Sequence, residues 1–275
     1  MNTFKEQCRT LRTQGHTLPE IVRLIGRPKT SVYFHIKDIS LPAKKIAEIH
    51  KACGERIRPY ALARKGKSSR LFKRVDTITP EMALLLGHLL FDGEIRRGAC
   101  AYSNRSLILI ERVVKLMRML YAYSPRTHLN DATGVMRVTY NNVELAAHLH
   151  TQAMCLLETI PSAPQAVKRE FLRAFFDDEG CMDVALPKHR RVRGYQKDVR
   201  VLEIIQRLLA EFGIESRIVL PNEVVIRGKG NFERFEREIN FSQGVCVNGK
   251  RSNSRWKESL EKRVLLRRAI DSFKS

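Results

Sequence analysis

The chain has 275 residues, 43% of them hydrophobic, enough to bury a core in one large domain or two smaller ones. Its 50 Lys and Arg against 29 Asp and Glu leave a net charge of +21, which favours polyanions as partners, either nucleic acid or an acidic membrane surface. Six scattered cysteines without C-x-x-C spacing exclude a zinc ribbon or disulfide framework, and no apolar run approaches the ~20 residues that span a bilayer.

Residues 1–40 read as three short helices. KEQCRTLRTQG forms the first and stops at Gly15. TLPEIVRLIG opens with Thr17 and Glu20 in a capping-box pattern and breaks at Gly26. RPKTSVYFHIKDI restarts with Pro28 in its first turn. A tight turn before a third helix is the helix-turn-helix pattern; the alternative is a three-helix protein-interaction unit. With Val32 and Ile36 inward, Lys29, Thr30, Tyr33 and Lys37 lie on the outer face, toward a major groove. Residues 41–75 read as a basic linker, with eleven Lys or Arg against Glu48 and Glu55 from Lys44 to Arg74. AKKIAEIHKACGERI can be helical, while RKGKSSRLFKR reads as extended, either solvated or tracking phosphates.

From residue 76 the chain repeats itself. TPEMALLLGHLLFDG starts with Thr79 as N-cap and Pro80 at the first helical position, runs apolar nearly all round and stops at Asp92-Gly93. Eighty-seven residues later KREFLRAFFDDEG stops the same way at Glu179-Gly180. Each segment is followed by a hairpin, a helix, two strands and a helix. The predicted fold class is therefore α+β: an all-α helix-turn-helix domain before two αββαββα halves, 76–163 and 164–275. The second half ends in a basic amphipathic helix from Ser254 to Phe273.

Helices that are apolar all round are buried, and each of these can find the other. Gly87 and Ala174 hold the same place in each segment, where small residues let helices approach closely. Both chains would then leave through a left-handed C-cap glycine, Gly93 or Gly180, with Asp92 and Glu179 side by side. Carboxylates repel each other and the negative helix end, so the crowding of Asp177, Asp178 and Glu179 reads as a metal-ligand cluster. Mg²⁺, with Mn²⁺ able to substitute, binds through one or two carboxylates, waters and phosphate oxygens.

LLGHLLFDG and LRAFFDDEG resemble the two signature nonapeptides of the LAGLIDADG endonucleases, and the likeness runs over roughly residues 78 to 270. Leu90 stands where the family's first acid is common, and Ala174 replaces a glycine. The resemblance implies a single-chain, pseudo-two-fold monomer acting on double-stranded DNA. Its metals are expected at Asp92 and Glu179, with Gly93 and Gly180 completing the metal site. Sheets line the DNA groove, and basic residues near the centre assist, Lys168 and Lys262 by position. The second hairpin offers Lys188, Arg190, Arg191 and Arg193 to phosphates or guanines. His88, mid-helix in the first motif, is expected to pack rather than act as a base. The expected activity is a Mg²⁺-dependent DNA endonuclease, cytoplasmic and nucleoid-associated. The alternatives are a non-cleaving transcription regulator on the same fold and an RNA-splicing maturase.

Overall fold

A computed structural model describes residues 3–64, 71–185, 189–247 and 258–273. They divide into two compact units, 1–68 and 69–275.

The first unit contains helices α1 (Phe4–Thr13), α2 (Leu18–Ile25), α3 (Lys29–Ile36) and α4 (Ala43–Arg64). The Thr17 amide donates to the Glu20 carboxylate at 2.7 Å, so the capping box forms and holds the Glu20 pKa below its ordinary value. Gly26 ends α2 at φ +67°, a conformation costly for any residue with a Cβ. Cys8, Ile21, Val32 and Ile36 make a small core, leaving Lys29, Thr30 and Tyr33 exposed on α3 and Lys37 exposed at its C-cap. Within the basic segment, residues 43–64 are one helix, and residues 65–70 lie outside the described residues.

The second unit runs α5 (Pro80–Phe91), β1 (Gly93–Arg96), β2 (Ala99–Asn104), α6 (Leu107–Tyr121), β3 (Arg126–Asn130), β4 (Val135–Tyr140) and α7 (Val143–Thr159). After a 3₁₀ turn at Ile160–Ser162 the order recurs: α8 (Gln165–Asp178), β5 (Gly180–Ala185), β6 (His189–Tyr195), α9 (Val199–Glu211), β7 (Ser216–Val219), β8 (Glu223–Ile226) and α10 (Lys229–Glu238). The two antiparallel sheets have matching orders, β1-β2-β4-β3 and β5-β6-β8-β7. Strand parity decides their faces: Cys100, Tyr102, Val138 and Tyr140 in one, and Met182, Val192, Val224 and Ile226 in the other, are buried against the helices. The repeat read from the sequence is the fold.

α5 and α8 pack face to face at the centre, and the contact is as close as Gly87 permits. A Cβ at Gly87 would sit 2.6 Å from the Ala174 Cβ, well inside van der Waals contact. Phe91 closes the seam against Phe171 and Phe175, with ring centroids 5.4 and 5.1 Å away. Gly87→Val is therefore expected to cost about 1–3 kcal/mol through overpacking, read as a lower urea midpoint.

Two expectations need correction. Gly93 and Gly180 do not adopt the left-handed conformation; each opens a strand, and neither is among the positive-φ glycines. They are glycines because the chain turns back over its own helix: a Cβ would meet Leu89 backbone at 2.6 Å or the Phe176 carbonyl oxygen at 2.3 Å. The C-terminal helix, α11 (Lys262–Asp271), begins later than Ser254. Residues 254–257 lie outside the described residues, and Glu261 is held in an antiparallel bridge to Cys246 that fixes where the helix starts.

Candidate metal and nucleic-acid site

Asp92 and Glu179 are each the C-cap of their helix, near enough that the charge of Asp92 acts on Glu179. Asp92 is exposed and accepts a hydrogen bond from the Asn104 side-chain amide at 2.8 Å. Asn104 is itself pinned, since its carbonyl oxygen accepts from the Ser106 amide at 2.9 Å. Glu179 is half-buried. Burial first, then the charges of Asp92 and Asp178, push its carboxyl up to about 7, partly offset by Lys262. Each acid thus feels the other. Among the described residues no group of three or more His, Cys, Asp or Glu is gathered as a metal cage.

The acids preceding Glu179 are not part of that pair, which corrects the three-acid cluster. Asp177 is buried, accepting from Arg112 of α6 and from the Ser242 amide, both at 2.8 Å. The Asp178 side chain, wholly buried, accepts from the Tyr102 hydroxyl at 2.6 Å and meets His88 Nδ1 at 2.8 Å. Both are ties between the halves: α8 supplies the carboxylates, and the first half supplies Arg112, Tyr102 and His88. His88 is a packing residue.

Lys262 is buried beside the same helix end. Its ammonium donates to the carbonyl oxygens of Asp177 at 2.7 Å and Phe176 at 3.2 Å, and desolvation lowers its pKa. These carbonyls carry the negative end of the α8 dipole, so Lys262 offsets the charge that would oppose an acid there. Lys168 does not join the site. It sits eleven residues earlier on α8, roughly 16 Å away by helical rise, paired with Glu211.

On the second sheet, Arg191 and Arg193 occupy the face turned away from the helices. Asp183 lies 2.9 Å from each, and Glu223 accepts from Arg193 at 2.6 Å. Arg190 has the opposite parity, sharing its face with buried Val192, and corrects the expectation of a groove contact. Its guanidinium donates to the Ser272 hydroxyl at 2.6 Å and stacks over Phe273 at 4.3 Å. Lys188 lies outside the described residues. On the first sheet the same face carries Arg96, Arg126 and Arg137, the last paired with Glu94. Asn104 and the Asp178 ties were missed from the sequence. A register count across the short first hairpin, which pairs Gly93 with Tyr102, would have found Asn104 beside the motif's end.

Two αββαββα halves joined through their first helices, each ending in an acid and a glycine, define a pseudo-symmetric two-motif architecture. Residues 166–240 match the family model described as a LAGLIDADG-like domain, and the first half copies that domain's element and sheet order. Residues 166–240 thus carry a LAGLIDADG-like domain. It is similar to a DNA gyrase subunit from Mycobacterium gordonae, 26% identical over 175 residues, covering 58% of this chain and 32% of that protein. The chain thus spans about a third of the length of that curated relative. Among solved structures it is similar to the homing endonuclease I-DmoI in complex with DNA and Mn, at 19% identity and TM-score 0.47, covering 61% of this chain and 99% of that one. It is likewise similar to the N-terminal LAGLIDADG domain of DUF199/WhiA, at 17% identity and TM-score 0.47, covering 62% and 88%.

Proposed function

We propose that this protein is a divalent-metal-dependent endonuclease of double-stranded DNA. The observation that carries the reading is the pair of acid-glycine helix ends: Glu179 is half-buried, and burial together with the charge of Asp92 raises its pKa to about 7. A fold that only needed to bind DNA gains nothing from keeping that repulsion. A divalent cation removes it, and two carboxylates with no third His, Cys, Asp or Glu gathered beside them among the described residues suit Mg²⁺, which takes its remaining ligands from water and substrate phosphate. When bound, such a metal polarises a phosphoryl oxygen and makes a bound water nucleophilic near neutral pH. Asp92, aimed by Asn104, and Glu179, its helix end neutralised by Lys262, are the residues that would hold it. Arg191 and Arg193, with the arginines of the first sheet, would bind the duplex, and the exposed face of α3 would add a second contact. One chain supplies both acids, so the active unit is a monomer.

Glu179 must be ionised to serve as a ligand. Mn²⁺ affinity, measured by calorimetry without DNA, is therefore expected to rise with pH up to about 7 and flatten above it. A flat profile from pH 5.5 to 8 would remove Glu179 from the metal site. The activity itself is tested by incubating the protein with a randomised duplex library and Mg²⁺, then sequencing bound and cut molecules. A sequence-specific footprint without cleavage in Mg²⁺ or Mn²⁺ would favour the regulator instead.

A further inference from the structure

We infer that α4 is itself a duplex-binding element, a helix that lies against DNA phosphates and is stabilised by them; the inference rests on the DNA-binding reading above. Its first support is what α4 lacks. The helix is 22 residues long, about 33 Å by helical rise, and every residue from Ile46 to Ala63 is exposed. Among the described residues the core of its unit, Cys8, Ile21, Val32 and Ile36, draws on α1, α2 and α3. Most helical stability in proteins comes from tertiary packing, and α4 carries Gly54 and Pro59 in its interior, which cost about 1 and 3 kcal/mol relative to Ala. It therefore gains from a partner beyond the core of its own unit.

Charge says what. Between Ala43 and Arg64 there are six Lys or Arg and two Glu, in a chain of net charge +21. Lys44, Lys51 and Arg58 recur every seventh residue, so they form one line along the helix, about 10 Å apart. A line of cations on a rod is complementary to a phosphate backbone. Position adds to this: α4 follows the helix-turn-helix and precedes the cleaving unit in the chain. When either is on a duplex, α4 is held near it at high effective concentration. The opposite side, with Ile46, Ile49, Ile57 and Tyr60, is where a second copy or an acidic protein would seat, and it supplies the control.

The test uses the full chain and a duplex of arbitrary sequence without metal, with binding measured from 50 to 300 mM salt. A Lys44→Gln, Lys51→Gln, Arg58→Gln variant is expected to reduce the slope of log K against log salt by about 2 to 3, since each phosphate contact contributes about 0.9. Affinity near physiological salt should fall roughly 10- to 100-fold. Ile46→Ser, Ile49→Ser, Tyr60→Ser should leave both unchanged, and helical ellipticity of the parent should rise on adding duplex. An unchanged slope in the charge variant, alongside strong binding by the parent, would overturn the inference and leave the DNA-binding reading standing. So would a dimer of the parent that the apolar variant abolishes. Failure of the parent to bind any duplex would instead defeat the reading on which it rests.

Discussion

Asp92→Asn and Glu179→Gln are each expected to reduce DNA cleavage by about a thousandfold or more while leaving duplex affinity within a few-fold. A bound metal contributes several kcal/mol to the transition state, and losing a ligand from a two-carboxylate set forfeits most of that. Glu179→Gln carries a second, independent signature. A carboxyl whose folded pKa lies above its unfolded value of 4.5 stabilises the fold most below 4.5, and that contribution is lost as pH rises to about 7. At pH 8 the wild-type protein therefore bears the repulsion and the Gln variant does not. Discounting for solvent around a half-buried group, the variant should gain about 1–2 kcal/mol, or roughly 3–6 °C in Tm, at pH 8. The gain should vanish near pH 4.5. A variant that loses both cleavage and stability at pH 8 would mean Glu179 is structural, and the metal assignment would fall with it.

The largest stability effect is expected at Asp178. Asp178→Ala leaves the Tyr102 hydroxyl and His88 Nδ1 facing a buried void between the halves. Orphaning buried polar partners of a lost carboxylate costs about 3–5 kcal/mol, enough to halve the stability of many domains. Chemical denaturation should show this as a lower midpoint. Replacing the whole cluster, with Asp178→Leu, Tyr102→Phe and His88→Leu together, should recover most of the loss, because no polar group is then stranded. If the single variant unfolds at the wild-type midpoint, the cluster is not a tie between the halves.

Much of this was legible in the residues. The repeat of helix, hairpin, helix, two strands and helix follows from hydrophobic period and turn residues, and it emerged with both sheets in the same order. The small-for-small match of Gly87 with Ala174 placed the two central helices, because only a missing side chain allows so close a contact. From that contact the meeting of Asp92 and Glu179 follows. The faces of the hairpin were less legible. Arg190 and Arg191 are equal as letters, and strand register alone sends one toward α11 and the other toward Asp183.

Local pattern thus determined the elements, their order and the two acid-bearing helix ends, since these depend on spacings within a few turns of chain. Tertiary structure decided what each acid does. Asp177, Asp178 and Glu179 are consecutive, but successive helical residues point about 100° apart, so one reaches Arg112, one reaches Tyr102 and His88, and one is left beside Asp92. Which partner waits in each direction depends on chain segments 65 to 90 residues away, and no local reading contains that.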